Sequence, residues 1–159
     1  MRTFVGVLLL TTVAAPDGAI AQQASAFGPG ARVLLDGHNA YPEHGKWADR
    51  IDRVLATGVP VAIEQDLYWV RPAGSSTHTS VVAHDSYAID SAPTLEAYFF
   101  ERIRPLMERA LAENRRDTWP LIVLNLDFKS DEPAHHDFIY KLLGRYERWL
   151  TTAPRTATP

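Results

Sequence analysis

The sequence predicts an α/β fold with a parallel sheet. Apolar runs of strand length alternate with segments of helical periodicity over most of the chain, and polar residues collect where the apolar runs end. Strand, helix, strand, helix, strand, helix is the order of such folds, whose sites form at the C-terminal ends of the strands. The first run, residues 32–36 (RVLLD), reads as a short buried strand that delivers Gly37, His38 and Asn39 at its end. Residues 44–57 then read as a helix, because Trp47, Ile51, Val54 and Leu55 share one helical face and Gly58 and Pro60 follow as stop signals.

Residues 61–70 (VAIEQDLYWV) are the second strand. The period of two places Ala62, Glu64, Asp66 and Tyr68 on one face, and Val61, Ile63, Gln65 and Leu67 on the other. A Pro/Gly/Ser turn over 71–76 leads to a further extended run at 79–83, which ends in His84-Asp85. Thr94 is placed to cap a helix with Leu95, Phe99, Ile103, Leu106 and Leu111 on one stripe, and Pro105 should kink or split it. Residues 120–128 (PLIVLNLDF) are the third core strand, with Asn125, Asp127 and then Lys129 on one face. Pro133 opens a last helix whose apolar side carries Phe138, Ile139, Leu142, Leu143, Tyr146, Trp149 and Leu150.

The termini read differently from this core. Arg2, an apolar stretch over 4–15 and the small-x-small site Ala19-Ile20-Ala21 form a secretory signal over residues 1–21, too short for a comfortable membrane span. Residues 22–31 are a flexible lead-in, 32–150 one domain, and 151–159 a Thr/Pro/Ala-rich tail or linker. The expected location is therefore secreted or periplasmic. Net charge is −3 over 159 residues, without a basic stripe, which argues against nucleic acid as a partner. The absence of cysteine excludes disulfides, thiolate metal sites and cysteine nucleophiles. GxGxxG-type loops and a GxSxG elbow are lacking too, which counts against dinucleotide binding and serine hydrolysis.

What remains is an inventory suited to a phosphate diester. His38 and His84 each follow an apolar run and are candidates to move protons. Glu64 and Asp66 on one strand face would repel each other when buried, a problem that a divalent cation resolves; the alternative is a solvated pair on an edge strand, against which the flanking Val61, Ile63, Leu67 and Trp69 argue. Asp127-x-Lys129 reads either as a third metal ligand beside a phosphate-binding cation or as a helix-start acid with a solvated lysine. Oxygen donors favour Ca²⁺ or Mg²⁺ over zinc. His44, His78, His135 and His136 lie in loops or helix starts and read as surface residues, and Tyr68, Trp69, Trp119 and Trp149 read as packing groups.

Three segments in this order, Asp36-Gly37-His38-Asn39-Ala40-Tyr41-Pro42-Glu43, Ile63-Glu64-Gln65-Asp66-Leu67 and Val81-Val82-Ala83-His84-Asp85, resemble the phosphatidylinositol-phospholipase-C-like phosphodiesterases, a superfamily that includes the glycerophosphodiester phosphodiesterases. The resemblance implies a TIM-type (β/α) barrel, of which residues 33–150 would supply the N-terminal part, about three strand–helix units, where a full barrel takes about 250 residues. It implies His38 and His84 as the two catalytic histidines and Glu64, Asp66 and Asp127 as metal ligands, with Asp127 standing where the family usually has glutamate. Lys129 falls on the lysine that the glycerophosphodiesterases carry. Asn39 replaces the arginine of their His-Arg-Gly motif and is similar instead to the calcium-ligating asparagine of calcium-dependent phospholipases C, whereas Tyr41-Pro42-Glu43 leans toward the glycerophosphodiesterases.

The implied function is metal-dependent hydrolysis of a glycerophosphodiester or phospholipid-type substrate, with membrane contact at most peripheral. The alternative is a noncatalytic secreted part-barrel that binds a metal or ligand. A chain that is complete at this length would need an oligomer to close its pocket, since a part-barrel exposes a strand edge.

Overall fold

The long strand β2, Val61–Val70, organises everything around it; its first seven residues are all buried. β-branched and aliphatic side chains at Val61, Ile63 and Leu67 give one face to the apolar core, while Ala62, Glu64 and Asp66 face the other way. The computed structural model describes residues 34–43, 45–115 and 118–151. The signal-like segment 1–21, the lead-in 22–31 and all of the tail but Thr151 lie outside them.

The sheet has four strands in the described residues. β1 (Leu35–Gly37) runs parallel to the start of β2, from Leu35 opposite Val61 to Gly37 opposite Ile63. β3 (Thr79–Val82) runs antiparallel to its end, from Leu67 opposite Val82 to Val70 opposite Thr79. β4 (Ile122–Phe128) lies parallel to β2 from Val61 opposite Ile122 to Leu67 opposite Phe128. A strand has two edges and β4 fills one, so β1 and β3 share the other, and residues 64–66 fall between their two ladders. The sheet is therefore mixed rather than wholly parallel. The turn at 71–76 folds β3 straight back on β2, a hairpin being the short connection available to antiparallel neighbours.

Helices cover the apolar face. Helix α1 (Arg50–Leu55), helix α2 (Glu101–Glu113) with a wide π turn before it (Glu96–Phe100), and helix α3 (Pro133–Arg145) send Ile51, Phe99, Phe100, Ile103, Ile139 and Leu142 into one cluster with Val61, Ile63 and Leu67. Thr94 caps the π turn, its Oγ1 accepting the N–H of Ala97 at 3.2 Å. Pro105 sits inside α2, and the chain passes it without stopping. The wide turn directly upstream, where the N–H of Glu101 reaches back to the carbonyl of Glu96, changes the register just before the ring. α3 begins at Pro133, whose missing N–H costs nothing in a first turn.

Three further expectations differ from the structure. The first strand is neither as long nor as buried as its composition predicts: Leu34 lies outside it, Leu35 is 54% exposed and Asp36 is exposed. β1 pairs with β2 along a single edge, and no second strand lies beside it among the described residues. The helix expected over 44–57 starts only at Arg50. Gly45 and Trp47 take positive φ (71° and 63°), and Glu43 and Lys46 exchange backbone hydrogen bonds of 2.9 and 2.8 Å, a tight turn that keeps the preceding residues out of the helix. Trp47 is consequently off the helical face, half exposed, with the guanidinium groups of Arg50 and Arg53 over its ring at 5.6 and 5.8 Å. At Gly37 an added Cβ would meet Val54 Cγ2 at 2.5 Å, so glycine is what lets α1 pack under the end of β1.

The third correction concerns His135, which is fully buried rather than on the surface, unlike the half-exposed His136. Its Nε2 lies 2.8 Å from Ser80 Oγ, its ring stacks on Trp69 at 5.1 Å and meets Phe128 edge-on at 5.0 Å, and Nδ1 has no hydrogen-bond partner. Burial pushes its pKa below the ordinary histidine value, with Glu132 opposing and His136 adding to the shift. An unfolded chain takes up its proton near pH 6.5, before the folded one does. This contribution to stability is thus complete above about pH 6.5 and declines as pH falls below it. Thermal melts between pH 7.5 and 5 should show a smaller acid-induced drop in Tm for His135→Gln than for the parent; equal drops would contradict the assignment.

Candidate functional site

The polar residues converge on the face of the sheet opposite the apolar core, over β2 and β4, with the end of β1 reaching in from the other edge of β2. The parallel register sets Glu64 beside Asn125 and Asp66 beside Asp127, so that these side chains share the face opposite the apolar core. Carboxylate oxygens of Glu64, Asp66 and Asp127 all lie within 4.8 Å of one another, the one such group among the described residues. Glu64 and Asp66 are buried, at 9% and 1% exposure, whereas the Asp127 side chain is half exposed.

Three carboxylates this close need compensating charge. Lys129 supplies part of it: its Nζ lies 2.7 Å from Asp127 Oδ2 and 2.8 Å from Asp66 Oδ2. The hydrogen bonds to Asp127 and then Asp66 raise the lysine pKa, with desolvation opposing them, so the ammonium stays charged. Tyr41, 1% exposed, brings its hydroxyl 2.9 Å from Asp66 Oδ2 and also to Asn39 Oδ1. Burial, reinforced by Asp66, raises the tyrosine pKa and keeps the phenol a neutral donor. Asp66 Oδ2 is thus fully engaged, while Asp66 Oδ1 is buried without a hydrogen-bond partner.

Glu64 is held from the other side. His38 Nδ1 lies 2.8 Å from Glu64 Oε2, and the backbone N–H of Asn39 donates to the same oxygen at 2.9 Å. An ionised carboxylate only accepts, so Nδ1 carries the proton and, in the neutral ring, Nε2 carries the lone pair. The His38 side chain is 72% exposed, which leaves Nε2 open to solvent. The bend that brings His38 here depends on Asn39, whose φ of 52° lies in the left-handed region where asparagine is among the better-tolerated residues. Arg50 of α1 locks the bend, donating to the carbonyls of Asn39 and Tyr41 at 2.9 and 3.1 Å. Gln65, fully buried, donates to the carbonyl of Ala40 at 2.6 Å.

His84 approaches by a different route. The N–H of Ala83 bonds the carbonyl of Asp66 at 3.1 Å, and the Tyr68 hydroxyl donates to the carbonyl of His84 at 3.2 Å. Its half-exposed ring turns Nδ1 toward Asp85 Oδ1 at 3.3 Å. Of the residues singled out from sequence, His38, Asn39, Glu64, Asp66, Asp127 and Lys129 therefore form one connected network. His84 stands at the same end of β2, joined to it through the backbone. Tyr41, Arg50 and Gln65 were not among them. The Tyr-Pro-Glu run after His38-Asn39 was the signal for Tyr41; Arg50 and Gln65 read as a helix residue and a core-face residue, with nothing local to set them apart.

Searches against protein-family models, characterised proteins and solved structures found no match to this chain.

Proposed function

We propose that this chain is the N-terminal part of a TIM-type (β/α) barrel and carries the site of an exported, metal-dependent phosphoric diester hydrolase of the phosphatidylinositol-phospholipase-C-like kind. The observation that carries this reading is the grouping of Glu64, Asp66 and Asp127 within 4.8 Å, with His38 hydrogen-bonded to the first of them. The order β1, β2, β4, all parallel, with helices on the apolar face and acids on the other, agrees with a barrel wall. β3 is then a hairpin added at the rim. Export is the expectation from residues 1–21, and no helix of the described residues is long and apolar enough to cross a membrane.

A hard divalent cation fits the donors present. Three carboxylates against one ammonium leave two negative charges, the donors are oxygens, and buried Asp66 Oδ1 lacks a partner. Glu64, Asp66 and Asp127 would hold Ca²⁺ or Mg²⁺, with Asn39 Oδ1 beside Tyr41 as a further oxygen. When bound, the ion would supply Lewis acidity toward a nonbridging phosphate oxygen. The remaining roles belong to the chain. His38 Nε2 takes the proton of the attacking hydroxyl, with Glu64 holding the ring by Nδ1 and stabilising the imidazolium that forms. His84, held at the rim by Tyr68 and Ala83, returns a proton to the leaving alkoxide. Lys129 offsets phosphate charge, and Tyr41 fixes Asp66. The substrate class is a glycerophosphodiester or a phospholipid headgroup.

The test is hydrolysis of glycerophosphodiesters and phosphatidylinositol by the purified protein. Activity that a chelator abolishes and Ca²⁺ or Mg²⁺ restores is expected. Metal binding with no turnover of any diester would favour the noncatalytic binding domain instead.

A further inference from the structure

Lys129 occupies a position in which a cation, rather than a lysine side chain in particular, is required. Its ammonium bridges the Oδ2 atoms of two carboxylates set side by side by the strand register, Asp66 and Asp127. Asp66, at 1% exposure, has little water to share its charge with. The lysine backbone is fixed, its N–H bonding the carbonyl of Leu67 at 2.9 Å, whereas the ammonium sits at the end of a flexible four-carbon stem whose side chain is 23% exposed.

We propose that Lys129 is the site's built-in counter-cation, which a divalent ion displaces from Asp66 and Asp127, and which then turns to the phosphate. This deepens the metal-dependent reading above and rests on it. A divalent ion binds carboxylate oxygens at about 2.0–2.6 Å, closer than the ammonium does. An ion held by these two carboxylates, with the unpartnered Asp66 Oδ1 among its donors, would stand close to the ammonium on Oδ2, and two cations so near each other in a poorly hydrated site repel, so the ion and the ammonium compete. Tyr41 stays on Asp66 throughout and keeps the carboxylate in place during the exchange. The released ammonium carries its charge to the rim where the diester arrives. Anion binding thereby becomes conditional on metal binding, and the unloaded site stays closed to phosphate.

Calorimetric titration of the full chain with Ca²⁺ and Mg²⁺ tests this, comparing the parent with Lys129→Met and Lys129→Gln, the second keeping a donor for the carboxylates should the first fail to fold. Removing the competitor should tighten metal binding about 10-fold or more, within the range of ordinary coupling between two ligands. Inorganic phosphate should bind the parent more tightly in the presence of the metal, and that gain should shrink in the variants. Equal or weaker metal binding by a folded variant overturns the proposal, for Lys129 would then be organising the carboxylates. An undiminished phosphate gain overturns the second half. If neither the parent nor a folded variant binds either ion, the metal-site reading itself falls, and this proposal with it.

Discussion

His38→Ala should lower phosphodiester hydrolysis by at least about 100-fold, the size of effect expected for a positioned acid–base group. The Glu64 carboxylate fixes the ring through Nδ1 at 2.8 Å and leaves Nε2 facing outward. Removing the imidazole would take away the proposed base and one partner of Glu64, and would leave the contacts among Asp66, Asp127 and Lys129 untouched. kcat should therefore fall while the protein keeps its fold. His84→Ala should also fall by about 100-fold if that residue protonates the leaving group. Its ring pairs with Asp85 and not with Glu64, Asp66 or Asp127, so its loss should leave the carboxylate cluster intact. Near-normal hydrolysis by either variant would remove that histidine from the mechanism.

Phe100→Ala should destabilise the fold by about 3–5 kcal/mol, as expected for deletion of a buried aromatic ring. Phe100 is 1% exposed, stacks on Tyr146 at 4.2 Å and meets Phe99 edge-on at 5.2 Å. It belongs to the π turn before α2, while Tyr146 follows α3, so the ring ties together two of the helices that cover the sheet. Tyr146 has little freedom to fill the space, because its hydroxyl bonds Glu101 and Glu96 at 2.7 and 2.9 Å. Urea denaturation reads the change directly, and a loss under about 1 kcal/mol would mean that the site collapses around the gap.

Periodicity carries β2, β4 and α3 almost entirely. Alternation on β2 puts Glu64 and Asp66 on one face, and a matching alternation on β4 puts Asp127 and Lys129 on its polar side. The parallel register that joins the two faces is what turns two local patterns into a site. Elements whose environment comes from distant chain are read less well. Leu35 belongs to an apolar run, yet an edge strand with one neighbour leaves it exposed. Trp47 has helical spacing to Ile51, yet the turn between Glu43 and Lys46 keeps it out of the helix. His135 stands in the first turn of a helix, a place normally in solvent, and is buried because Ser80, Trp69 and Phe128 arrive from three strands. Arg50 and Gln65 matter to the site only through the backbone carbonyls they hold, which no residue pattern announces.

In the proposed function, Glu64, Asp66 and Asp127 hold a divalent ion beside His38. Anomalous diffraction from a crystal soaked in Mn²⁺, standing in for Ca²⁺ or Mg²⁺, would locate that ion. One strong peak is expected, bonded to the carboxylates of Asp66, Glu64 and Asp127 and engaging Asp66 Oδ1, with Lys129 Nζ moved off Asp66. A site without a peak, its ammonium still 2.8 Å from Asp66 Oδ2 at saturating metal, would contradict it.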